Sequence, residues 1–73
     1  METRGQLILT ARVGRGLDLD TIAALVPCTR NYLYRLERGI KGGSARTLAR
    51  LEDVLGLQPG SLARAPVADL PAP

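Results

Sequence analysis

Pro27 constrains this chain more than any other residue. It has no amide hydrogen to donate and it disfavours helical geometry at Val26, so a helix arriving from the N-terminal side must end about there. Two residues later, Thr29 is suited to cap a new helix. Apolar residues recur at helical spacing on both sides of the break: Ile22, Ala23 and Val26 before it, Leu33 and Leu36 after it. Two short helices joined through Val26-Pro27-Cys28 can pack in only a few ways.

The flanking segments read in the same terms. Leu7, Ile8 and Ala11 form a stripe on a first helix from about Arg4 to Val13, which Gly14 and Gly16 loosen and end. Asp18 can accept from free backbone N–H groups and Asp20 complements the positive end of the dipole, so the second helix opens there. Gly39 closes the third helix, Gly42-Gly43 keeps a loop open, and Ser44 caps a fourth helix over Ala45 to Leu55 with Leu48, Leu51, Val54 and Leu55 on its inner face. Gly56 stops it, and Pro59 starts a last helical turn that docks Leu62. From Ala63 the chain is rich in Pro and Ala and lacks apolar periodicity. The expected organisation is one domain over residues 1–62 and a mobile tail over 63–73.

With 73 residues the chain has room for one small core, and with aromatics at 3% that core must be built from Leu, Ile, Val and Ala. Those side chains suit closely packed helices better than a sheet, so the fold class is all-α. A single Cys28 cannot make an internal disulfide, and with no His there is no ligand cluster for zinc. No base beside a Ser or Cys nucleophile and no tight carboxylate pair can be picked out, which weighs against an enzyme and against a cofactor. Leu7-Ile8-Leu9 is stopped by Arg12, so no membrane span or signal peptide is read and a cytosolic location is expected.

The third helix carries the strongest functional signal. "TRNYLYRLERG", Thr29 to Gly39, holds both tyrosines and three arginines. With Leu33 and Leu36 turned inward, Arg30, Asn31, Tyr34, Arg35 and Arg38 occupy the remaining circumference. From Arg30 to Arg50 there are five arginines and Lys41 against one acid, Glu37, although the whole chain has a net charge of only +3. Local clustering of cations of this kind points to a polyanion, and duplex DNA is the natural candidate.

The order of these features resembles the XRE group of bacterial and phage regulators, the lambdoid repressor and Cro class, over about Gln6 to Leu62. The resemblance rests on Arg12 in helix one, Ala23, Thr29 opening the third helix, the "LERG" run Leu36 to Gly39, and "S..TL..L...LG" from Ser44 to Gly56. It implies a compact helix-turn-helix domain of four to five helices, a recognition helix over residues 29–38, and an ion pair between Arg12 and Glu37. Separate surface charges are the alternative for that pair. Two positions depart from the family pattern: Leu19 stands where a Gln commonly contacts a phosphate, and Pro27 replaces the turn glycine.

The resemblance and the chemistry together assign roles. Arg30 and Arg35 suit guanine O6 and N7, Asn31 suits adenine N6 and N7, and Tyr34 can touch a thymine methyl or a phosphate. Tyr32 is either a DNA contact or a ring patching the core, and the same alternative stands for Tyr34. Thr29, Arg38, Lys41, Ser44 and Arg46 are candidates for phosphates; Arg50 fits a solvated face better, and Cys28 a small core position better than a redox switch. The expected partner is an operator in double-stranded DNA, with a homodimer as an open arrangement and no small-molecule ligand. The same fold also serves as a protein-interaction module, antitoxin-like or a phage-encoded host modulator, in which Tyr and Arg would meet a protein surface instead.

Overall fold

The computed structural model describes residues 2–67. Five helices follow one another: α1 (Arg4–Gly14), α2 (Leu19–Leu25), α3 (Arg30–Glu37), α4 (Ala45–Leu55) and α5 (Ser61–Arg64). No strand occurs among the described residues. The expected tail lies outside them from residue 68 onward.

Each of the first four helices begins on a side-chain cap. Thr3, Asp18, Thr29 and Ser44 accept from the backbone N–H groups of Gln6, Thr21, Tyr32 and Thr47 respectively. At α1 the bond is reciprocated, because the Gln6 side chain accepts from Thr3 N at 2.8 Å. That reciprocal box is legible as Thr-x-x-Gln in the sequence. At the other end of α3, Gly39 N donates to Leu36 O at 3.2 Å and Ile40 N to Arg35 O at 3.0 Å. These two bonds need a left-handed backbone at Gly39, whose φ is 78°, and they end the helix one residue past Arg38.

The core is aliphatic throughout. Ile8 from α1, Ile22, Ala23 and Val26 around α2, Leu33 and Leu36 from α3, Leu48, Leu51 and Leu55 from α4, and Leu62 from α5 are all buried. α3 lies against both α1 and α2, while α4 lies against α1 and α5. Ala23 is buried in α2, but the tightest backbone approach is elsewhere. A Cβ on Gly5 would overlap the carbonyl oxygens of Glu37 and Leu36, so the first turn of α1 crosses the last turn of α3 in contact that only glycine permits.

Two details differ from the sequence expectations. α1 continues through Gly14, whose position has open space around it. The last helical turn starts at Ser61 with Gly60 as its cap residue, not at Pro59, and it lacks a side-chain cap of its own. Instead Glu52, buried on the inner face of α4, accepts from Leu62 N at 3.0 Å. An unpaired buried carboxylate and an orphan N–H would each be costly, and here each satisfies the other.

Ala63, Ala65 and Pro66 are also held. Arg4 N donates to Pro66 O at 2.7 Å, and the Arg4 guanidinium donates to Leu62 O at 2.7 Å, to Ala63 O at 3.3 Å and to Gly42 O. Apolar periodicity gives no sign of this contact because the acceptors are backbone carbonyls, which every sequence has.

The two glycines of α1 make opposite predictions for one substitution. Gly5→Ala is expected to destabilise the fold by about 2 kcal/mol through overpacking. Gly14→Ala is expected to be neutral or to stabilise by about 0.5 kcal/mol through helix propensity. Thermal unfolding followed by circular dichroism checks both.

Candidate nucleic-acid interface

The connection between α2 and α3 sets the position of the candidate interface. Val26 keeps helical dihedrals, donates to Ile22 O at 3.0 Å and caps α2. Cys28 N then donates to Ala23 O at 2.7 Å, and Thr29 is already extended as the α3 cap with Tyr32 N bonded to its Oγ1 at 3.0 Å. Positive φ among the described residues occurs only at glycines, so Pro27 sits in a turn that makes no such demand. Burial of the thiol raises the Cys28 pKa, which fits its packing against the core and opposes thiolate chemistry.

Leu33 and Leu36 seal the inner side of α3 at 0% and 1% exposure. Arg30, Asn31, Tyr34, Arg35 and Arg38 are exposed, as are Thr29, Lys41, Ser44 and Arg46. Tyr32 is only partly exposed and packs against the core. Among the described residues, the side chains of Asn31, Arg35, Lys41 and Arg46 make no intramolecular hydrogen bond or ion pair. Arg38 instead lies with its guanidinium 5.7 Å from the centre of the Tyr34 ring, a distance at which the ring quadrupole attracts the cation.

The C-terminal end of α3 is anchored by a bidentate ion pair. Arg12 Nε donates to Glu37 Oε2 at 2.7 Å and Nη2 to Oε1 at 3.2 Å, while Nη1 donates to Leu17 O at 2.9 Å. The side chains are 15% and 6% exposed. The hydrogen bond to Glu37 holds the Arg12 pKa above its ordinary value against the opposing effect of burial. Glu37, the one acid among the cations of this region, is thereby engaged within the protein, and the exposed face of α3 is left cationic.

At the start of α4, Ser44 Oγ accepts from Thr47 N at 3.2 Å and meets Thr47 Oγ1 at 3.0 Å. No acid lies in the first turn of this helix and Arg46 does, an arrangement in which helix dipole and side chain both favour an anion. Arg50 is not simply a solvated side chain. Its Nε donates to Leu25 O at 3.2 Å, at the end of α2, and its Nη1 lies 3.5 Å from Asp53.

A family model for the helix-turn-helix domain matches residues 5–65. This chain belongs to the helix-turn-helix domain family. Searches of curated proteins and of solved structures gave no match. In helix-turn-helix terms α2 and α3 are the two helices and Val26-Pro27-Cys28 the turn between them, and domains of this class in general bind DNA. No described helix is long and apolar enough to cross a membrane.

Sequence reasoning passed over two residues that shape this helix-turn-helix surface. Arg4 braces the loop before α4 through Gly42 O, one residue from Lys41. Asp20 lies 3.5 Å from Arg30. Asp20 had a visible signal as an acid in the first turn of α2, but its partner on α3 is set only by how the two helices cross.

Removal of one member of the Arg12–Glu37 pair strands the other charge. Arg12→Ala is expected to cost about 3 to 5 kcal/mol, enough to leave a domain of this size largely unfolded. Replacing both residues together by Met and Leu is expected to cost much less than the sum of the single changes. Urea denaturation of Arg12→Met, of Glu37→Leu and of the variant carrying both changes measures the coupling.

Proposed function

We propose that this protein is a sequence-specific regulator of the XRE type that binds double-stranded DNA with α3 in the major groove and acts by occupying an operator, as a repressor or Cro-like protein of bacterial or phage origin does. The observation that carries the proposal is the division of α3: two leucines sealed inside and Arg30, Asn31 and Arg35 exposed on a helix held at both ends. Arg30 and Arg35 have the donor geometry for guanine O6 and N7, and Asn31 has donor and acceptor for adenine N6 and N7. Tyr34 meets a thymine methyl or, through its hydroxyl, a phosphate.

Thr29, Arg38, Lys41, Ser44 and Arg46 bind phosphates and fix the register. The Tyr34 ring beneath Arg38 limits where that guanidinium can go, which lowers the entropy lost on reaching a phosphate. Tyr32, partly buried against the core, supports the helix from the side. Because one helix reads few base pairs, a homodimer on half-sites about 34 Å apart suits this surface. The site of action is the cytosol, the reaction is binding alone without a cofactor, and the packed helical domain is the DNA-binding unit.

Selection of bound duplexes from a random pool tests specificity and symmetry at once, since a paired site emerges as an inverted repeat. Arg30→Ala is expected to weaken the selected site by about 1 to 3 kcal/mol and to relax the preference at one base pair. Lys41→Ala and Arg46→Ala are expected to weaken all duplexes alike and to reduce the dependence on salt, by about one unit of log–log slope each. Equal loss from all three variants refutes the division of roles. Affinity for duplexes that does not respond to salt refutes the DNA proposal and favours a protein partner for the tyrosine and arginine surface.

A further inference from the structure

The helices around the proposed interface begin with opposite charges. α3 and α4 have no acid in their first turns and carry Arg30 and Arg46 there. α2 is capped by Asp18 and has Asp20 as its second residue. The two signs meet at a single contact, where Asp20 Oδ1 lies 3.5 Å from Arg30 Nε. Asp18 senses the same cation: its pKa is held below the ordinary value chiefly by the hydrogen bonds from Thr21, against an opposing effect of desolvation, with lesser contributions from the charges of Arg12 and Arg30.

This ion pair has little to do with holding the fold. Its partners are 66% and 76% exposed, and pairs so open to water add little to stability. Its consequence falls on Arg30, a base-reading residue in the proposed function, and on whatever approaches it. A phosphate drawn to Arg30 also approaches the Asp20 carboxylate, and like charges repel. A guanine edge is different. O6 and N7 are neutral acceptors, so Arg30 can bond them through its terminal nitrogens without bringing a second negative charge up to Asp20, 3.5 Å from Nε.

We propose that Asp20 is a specificity-determining residue, which leaves Arg30 available to a guanine edge and penalises its use on phosphates, so that DNA lacking guanine at that position is bound less well. The inference rests on the DNA-binding function proposed above. It also gives the first turn of α2 a role opposite to phosphate anchoring: with Leu19 half-buried against the core and carboxylates on either side of it, this turn discriminates and the α4 start anchors.

The test compares the full chain with Asp20→Asn, which keeps the shape and removes the charge. Asp53→Asn serves as the control, since it removes an exposed acid that is paired within α4. Binding is measured across a salt series to a selected duplex, to the same duplex with the guanine facing Arg30 replaced, and to an unrelated duplex. With Asp20→Asn, affinity for the two duplexes lacking that guanine is expected to rise about three- to fivefold, the scale of one exposed ion pair. Affinity for the selected duplex is expected to stay level or fall, and the salt dependence on unrelated DNA to steepen by about one phosphate contact. With Asp53→Asn, all three duplexes are expected to shift together and slightly. An equal shift on all three duplexes with Asp20→Asn, or no shift, overturns the role of Asp20 and leaves DNA binding standing. Absence of salt-sensitive binding by the unmodified chain overturns both.

Discussion

The pairing of Arg12 with Glu37 is the contact on which the rest of this structure depends. α3 has eight residues, too few for a helix to persist in water by itself. It exists because Leu33 and Leu36 are buried, because Thr29 caps its start, and because Glu37 at its last position is held in two hydrogen bonds by α1. The crossing at Gly5 brings α1 close enough for that reach. A larger residue at position 5 would push the helices apart and lengthen a 2.7 Å bond between groups that have little water to fall back on.

Arginine has two separate occupations in this protein. Arg4, Arg12, Arg15 and Arg50 each donate to backbone carbonyls, three of them at helix ends: Leu62 and Ala63 in α5 for Arg4, Leu55 in α4 for Arg15 and Leu25 in α2 for Arg50. The last carbonyls of a helix have no partner within it, and a guanidinium supplies several donors together with a charge that suits the negative end of the dipole. Arg30, Arg35, Arg38 and Arg46 face outward. A core without Phe or Trp gains part of its rigidity from the first set, and the second set forms the cationic surface.

Those two sets give the proposed interface its character. The face of α3 is rigid because its supports come from three directions: α1 through Glu37, α2 through the short turn, and the core through its leucines. Charge is then distributed unevenly around it, with carboxylates at the start of α2 and cations at the starts of α3 and α4. A surface built only for attraction would hold any duplex; in the proposed function the acid beside its first arginine would separate the affinity for phosphates from the reading of bases.

Local chemistry was enough to place the caps at Asp18, Thr29 and Ser44, the glycine ends at Gly39 and Gly56, the break at Pro27 and ten aliphatic core residues, because capping, φ preference and apolar period act within a few residues of the chain. The outward face of α3 followed from the same period. Tertiary structure alone decided that Gly5 is the point of closest approach, that buried Glu52 caps α5, that Ala63, Ala65 and Pro66 are pinned by Arg4, and that four arginines brace carbonyls while four others remain free of that task. Each of these joins residues far apart in the chain through groups that every arginine or every peptide unit possesses. Their pairing is set by where the helices cross, and no local pattern records it.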